Sequence, residues 1–129
     1  MVLDTSAILA LLFNEPDADD IEVALDRDGV RLLSAASYLE AGIVLEARFG
    51  EAGGREFDLL VHKAGIEVVA VTAEQAEVAR EAWRRFGRGR HKAGLNFGDC
   101  FAYALATTRG EPLLFKGDDF VHTDLAAAR

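Results

Sequence analysis

The sequence predicts an α/β fold: a mainly parallel central sheet with helices layered on both sides. Two observations carry this. Short apolar, β-prone segments (VL, VRLLSA, IEVVAV and PLLFK) alternate with longer stretches of helical pattern. Glycines and a proline punctuate the helical stretches. At 129 residues, the chain is expected to form one domain, spanning 1–129, around a single core.

The elements follow in order. VL before Asp4 can only be a very short strand. SAILALLFNE reads as a helix broken at Pro16. In DADDIEVALDRDG, Ile21, Val23, Ala24 and Leu25 lie among acids, and Gly29 is the expected stop. VRLLSA is the second strand. A helix is expected from about Ser37 to Phe49, with Leu39, Ile43 and Phe49 among its apolar positions, ending at Gly50. REFDLLVHKAG is a further helix, stopped by Gly65. IEVVAV is the clearest strand, since four of its six residues are β-branched. TAEQAEVAREAWRRFG opens with Thr72 as N-cap and Gln75 three positions on, a capping-box pattern. Ala76, Ala79, Trp83 and Phe86 are its expected buried face. GRGRHKAGLNFG is a basic loop, DCFAYALATTRG a helix of small residues, PLLFK the last strand, and GDDF a turn out of it.

Composition narrows the function classes. The longest apolar run, Ala7 to Phe13, is far short of the roughly 20 residues that span a bilayer, so no membrane association is expected. The single cysteine, Cys100, excludes an intrachain disulfide and a multi-thiolate zinc site, and fits a reducing, cytoplasmic setting. The net charge of −8 argues against nonspecific nucleic-acid binding. The charge is uneven, however: Arg80, Arg84, Arg85, Arg88, Arg90 and Lys92 crowd one segment against Glu81 alone.

Ligands of parallel α/β sheets bind outside the carboxyl ends of the strands. Asp4 and the Asp118–Asp119 pair fall at two such ends, Asp99 heads a helix, and Glu40 lies in the first turns of another. Each has an ordinary explanation. Asp4 can cap a helix, a Ser37–Glu40 capping box accounts for Glu40, the helix dipole favours Asp99, and Asp118 and Asp119 suit a turn. Together they are harder to dismiss, because converging carboxylates about 4 Å apart repel by about 4 kcal/mol per pair at an effective dielectric near 20. A cation would offset that cost. Oxygen-only donors select a hard ion, Mg2+ or Mn2+, and such ions assist phosphodiester hydrolysis.

The stretches VLDTSAILALL, SYLEAGIVLEAR, NFGDCFAYALA and LLFKGDDFVHTDL extend over essentially the whole chain. In that order and spacing they resemble a PIN-domain ribonuclease, and more closely the VapC toxins of type II toxin–antitoxin systems. The resemblance implies a three-layer PIN-like fold and a metal-dependent endoribonuclease with an acidic quartet. Its members are Asp4, Glu40, Asp99 and a fourth acid in the GDDF turn, either Asp119, which lines up before the aromatic, or the adjacent Asp118. Asp4 and Asp99 would hold the principal Mg2+, with Mn2+ an alternative. Glu40 and the fourth acid would hold a second ion or orient the attacking water, and Thr5 or Ser6 would hydrogen-bond within the site. The implied partners are RNA as substrate, a VapB-type antitoxin that supplies any DNA binding, and a second copy in a homodimer.

Of the basic segment, Arg88, Arg90 and Lys92 are candidate RNA contacts. Arg80, Arg84 and Arg88 are spaced to share a helix face, but Glu77 and Glu81 are placed to pair with Arg80, Arg84 or Arg85. The acids from Asp17 to Asp28 are expected to serve solubility, and Glu46 to be a surface charge. The three histidines show no ligand spacing, and Cys100 and Trp83 are expected in the core. Two rival classes are weaker. A receiver-type Mg2+-binding signalling domain needs an aspartate after a central strand, which IEVVAVTAEQ lacks, and a haloacid-dehalogenase-type phosphatase needs Asp-x-Asp where DTS stands. A PIN-like module that binds without cleaving is the remaining alternative.

Overall fold

The computed structural model describes residues 1–129. In chain order the elements are β1 (Val2–Leu3), α1 (Thr5–Leu12), α2 (Ala18–Asp26), β2 (Leu32–Ser34), α3 (Ala35–Phe49), α4 (Glu51–Lys63), β3 (Glu67–Val69), α5 (Ala73–Phe86), α6 (Phe97–Arg109) and β4 (Leu113–Leu114). A 3-10 turn, Phe120–His122, follows. The four strands are parallel, in the order β3-β2-β1-β4.

Both faces of the sheet are buried, because successive strand side chains point to opposite sides. Val2, Leu32 and Leu113 join one core with Leu95, Tyr103 and Leu105 beneath α5 and α6. Leu3, Leu33 and Leu114 join the other, with Ile8, Leu25, Leu45 and Phe57 from α1 to α4. Helices on two faces of a parallel sheet make the three layers that the sequence predicts. The strand order reverses direction beside β1: β2 and β3 are added on one side, β4 on the other. The carboxyl ends of β1 and β4 therefore flank the switch point, where open parallel sheets bind ligands.

Several local expectations need correction. Helix α3 begins at Ala35, capped by Ser34, whose Oγ accepts the Ala36 N–H. Ser37 is thus already inside the helix and caps nothing, so no Ser37–Glu40 box exists and Glu40 lies beyond the first turn. Leu39, Ile43 and Phe49 are exposed, while α3 buries Ser37, Ala41 and Leu45. Helix α2 ends at Asp26 with Arg27 as its C-cap, before Gly29, whose φ is not positive. Helix α4 starts four residues earlier than REFDLLVHKAG, at Glu51, because Gly50 (φ 67°) turns the chain sharply between α3 and α4. Helix α5 buries Gln75, Ala79, Ala82 and Phe86, whereas Ala76 is exposed and Trp83 is 44% exposed. Thr72 caps α5 as expected, accepting the Gln75 N–H, but the Gln75 amide reaches back to the Ala70 carbonyl rather than closing a box.

The acids from Asp17 to Asp28 do more than solubilise. Asp17 accepts from Arg129 at 2.7 Å, and Asp28 pairs with the Met1 ammonium at 2.7 Å. These contacts hold both carboxyls below the usual range, Asp17 chiefly through Arg129 and Asp28 chiefly through the ammonium.

Candidate active site

Asp4 leaves the end of β1 and caps α1, its Oδ2 accepting the Ser6 N–H at 3.0 Å. The cap does not account for its burial. Only 5% of Asp4 is exposed, and this desolvation pushes its carboxyl above the usual range; the Ser6 hydrogen bonds oppose the shift and the Glu40 charge adds to it. Ser6 is itself a tie between elements, since its Oγ accepts the Lys116 N–H at 3.0 Å just beyond β4. Thr5 is buried, and its hydroxyl makes a long 3.5 Å contact with the Ser37 carbonyl of α3. Both hydroxyls bind the elements that frame Asp4 to one another.

Asp99 lies in the first turn of α6, within a reciprocal capping box with Asn96. Its Oδ2 accepts the Asn96 N–H at 3.0 Å, while its Oδ1 makes no hydrogen bond. Its carboxyl is pushed up to about 7, first by burial, against the Asn96 hydrogen bond, and then by the charges of Asp4, Asp119 and Glu40. The charges of carboxyls from β1–α1, α3 and the turn after β4 therefore reach Asp99 on α6. Of the adjacent pair in GDDF, Asp119 is the one whose charge reaches Asp99; both are exposed. Glu40, on the exposed side of α3, lies against Gly98 at the start of α6.

This donor set suits a hard divalent cation. All donors are oxygen, and a cation would offset both the burial of Asp99 and the neighbouring charges that raise it. As the side chains stand, no three of them enclose a common ion position. Mg2+, which keeps several waters, needs only one or two carboxylates for primary coordination. Asp4 and Asp99 are the two most buried of the four and the two fixed by helix caps.

The basic segment is only partly helical. Arg80 and Arg84 lie on α5, but Arg88 lies past its end, in a loop that returns through a Gly87–Leu95 bridge. The expected pairs of Glu77 and Glu81 with these arginines do not form; Arg85 instead reaches Asp124 at 3.4 Å. Arg90 stacks over the Trp83 ring at 4.2 Å. A groove of about 680 Å³ between α5 and α6 is lined by Trp83, Phe97, Phe101, Arg80, Arg84 and Arg90. Cys100 is buried, as expected. Asn96 is a functional neighbour with a local sequence signal, since N-x-x-D before a helix is a capping pattern. Gly98 has none, because its contact with Glu40 joins segments distant in sequence.

The chain matches the PIN domain family over residues 1–125. It is 60% identical over 126 residues to ribonuclease VapC30 of Mycobacterium tuberculosis, covering 98% of this chain and 96% of that protein. It is 61% identical over 127 residues to ribonuclease VapC of Mycolicibacterium smegmatis, covering 98% of each. Among solved structures, it superposes with a TM-score of 0.78 on VapC20 of Mycobacterium tuberculosis, a toxin described as cleaving the sarcin-ricin loop, at 20% identity over 97% of this chain and 95% of that one. It superposes with a TM-score of 0.71 on VapBC2 of Rickettsia felis bound to a promoter DNA fragment, at 13% identity over 98% of this chain and 94% of that one. At such identities these two likenesses bear on the fold alone.

Proposed function

Because the chain belongs to the PIN-domain family and, within it, to the VapC ribonucleases, we propose that it is the toxic component of a type II toxin–antitoxin pair. Its activity is Mg2+-dependent hydrolysis of RNA phosphodiester bonds at Asp4, Glu40, Asp99 and Asp119. The observation that carries this reading is the placing of buried Asp4 at the end of β1, beside the strand switch point, with Asp99 fixed in the first turn of α6 and Glu40 seated against the adjoining Gly98.

Asp4 and Asp99 would hold the principal cation, each kept in place by a helix-capping hydrogen bond. When bound, a divalent cation lowers the pKa of a coordinated water towards neutrality and stabilises charge on the phosphate. Glu40 and Asp119, exposed at the rim, orient the attacking water and accept its proton, or contribute to a second cation position. Thr5 and Ser6 keep α1, α3 and the end of β4 in register around Asp4. Arg88, Arg90 and Lys92 contact the RNA backbone, which offsets the repulsion of a polyanion by an acidic protein.

The partner is a VapB-type antitoxin, which brings any DNA binding with it, and the toxin pairs with a second copy of itself. Exposed Leu39 (62%), Ile43 (58%) and Phe49 on α3 support a protein-binding face. No helix is long and apolar enough to cross a membrane.

The test is cleavage of a structured-RNA pool by the purified protein with Mg2+, with Mn2+ and with EDTA, beside Asp99→Ala. The reading expects cleavage that needs metal and disappears in the folded variant. Cleavage that survives both EDTA and Asp99→Ala would overturn it, and metal binding without cleavage would favour a binding module instead.

A further inference from the structure

Gly98 occupies the second position of α6, directly before Asp99. Its φ is not positive, so the backbone does not require glycine there, and alanine would be the better helix former. The reason for glycine is a neighbour. A Cβ on Gly98 would lie 2.3 Å from Glu40 Oε2, 3.0 Å from its Oε1 and 3.0 Å from its Cδ. The Glu40 carboxylate rests against the start of α6, in space that only a residue without a side chain leaves open. No hydrogen bond or ion pair holds Glu40 in the structure, so this seat and the positive end of α6 are what set its position.

We infer that Gly98 is a positioning residue: its missing side chain seats the Glu40 carboxylate beside Asp99 at the candidate metal site. This rests on the proposed role of Glu40. The consequence differs from an ordinary packing clash. The atoms in the way are the far end of a flexible side chain, so adding a methyl group leaves the fold intact and moves the carboxylate instead. Moving Glu40 Oε2 from 2.3 Å to the 3.0 Å floor for real Cβ contacts requires a withdrawal of at least 0.7 Å from its seat on α6 beside Asp99.

The test measures Mn2+ affinity by calorimetry and thermal unfolding for the wild type, Gly98→Ala, Glu40→Asp and the double variant. In Gly98→Ala, the expected result is an unchanged or raised melting temperature with Mn2+ affinity weakened by about tenfold, as for other changes around a metal ligand. Once Glu40→Asp has withdrawn the carboxylate, Gly98→Ala should add no further loss. Equal Mn2+ affinity in wild type and Gly98→Ala, with Asp99→Ala abolishing binding, would overturn the inference and leave the proposed function standing. So would a full additional loss on the Glu40→Asp background, or a lowered melting temperature that accounts for the weaker binding. A wild type that neither binds Mn2+ nor cleaves RNA would overturn both.

Discussion

Asp99 and Asn96 cap one another at the start of α6: Asp99 Oδ2 accepts the Asn96 N–H at 3.0 Å, and Asn96 Oδ1 accepts the Asp99 N–H at 2.9 Å. The hydrogen bonds that begin the helix also fix a candidate metal ligand. Asn96→Ala should therefore have two effects. Loss of the cap should destabilise the fold by about 0.5–2 kcal/mol, read as a lower urea midpoint with unchanged slope. The Asp99 carboxylate accepts from the Asn96 backbone N–H, which alanine keeps, so the second effect is indirect: fraying of the first turn should loosen the carboxylate and weaken Mn2+ binding. Asn96→Ser, which retains a capping oxygen, should recover most of both. Loss of stability with no change in Mn2+ affinity would separate the cap from the site.

The raised carboxyl of Asp99 gives the metal-free protein an unusual pH dependence. In the unfolded chain it ionises near its ordinary 3.8, and in the fold only near about 7. Between those values the folded state holds a proton that the unfolded state has lost, so stability falls as pH rises. Buried Asp4 is shifted the same way. Asp17 and Asp28, held low, contribute stability that is lost only in more acidic solution. In EDTA, the urea midpoint should thus decline from pH 5 to pH 7.5, and Asp99→Asn, which keeps an oxygen for the Asn96 N–H, should flatten that decline. Saturating Mg2+ should flatten it as well, by stabilising the ionised form. An identical slope in the wild type and Asp99→Asn would refute this assignment.

The alternation of strand residues between two cores was legible because it is local and strict: in both Val2–Leu3 and Leu113–Leu114, neighbouring apolar residues face opposite helical layers. The acids were legible because Asp4, Asp99 and the GDDF turn stand at strand or helix ends. What escaped depends on contacts between segments distant in sequence. Trp83 has the spacing of a core residue, yet it is only partly covered, by Arg90. Leu39 and Ile43 are apolar positions of the helix, but α3 packs through Ser37, Ala41 and Leu45. Ser37 resembled an N-cap because the cap one turn earlier, Ser34, was hidden in the strand-like LLS. Glu40 thereby lost its structural explanation and became a stronger candidate.

Gly53 offers a contrast with Gly98. A Cβ there would meet the Leu45 carbonyl oxygen at 2.5 Å and both Leu45 C and Phe49 Cβ at 3.0 Å. These atoms belong to the backbone and the stem of α3, which cannot swing aside, so α3 and α4 would have to separate. Gly53→Ala should cost about 1–3 kcal/mol, as overpacking does, measured by urea unfolding, with Mn2+ affinity in the folded fraction unaltered. A neutral result would mean that α4 can slide on α3.

Arg88, Arg90 and Lys92 should act on RNA through charge, with Arg90 also holding Trp83, the only tryptophan. On an Asp99→Ala background, where RNA is bound without being cut, Arg88→Ala and Lys92→Ala should each weaken binding. Each should also reduce the slope of log affinity against log salt by about 0.7 for a lost single-strand phosphate contact. Arg90→Ala should do the same and shift the tryptophan emission, because the guanidinium no longer covers the ring. Arg55→Ala supplies the control: Arg55 is exposed on α4, beside Glu51, outside the basic segment. A uniform small effect across all four variants would reduce the segment to general electrostatics. Selective loss at Arg88, Arg90 and Lys92 would establish it as the track that leads RNA to the acids.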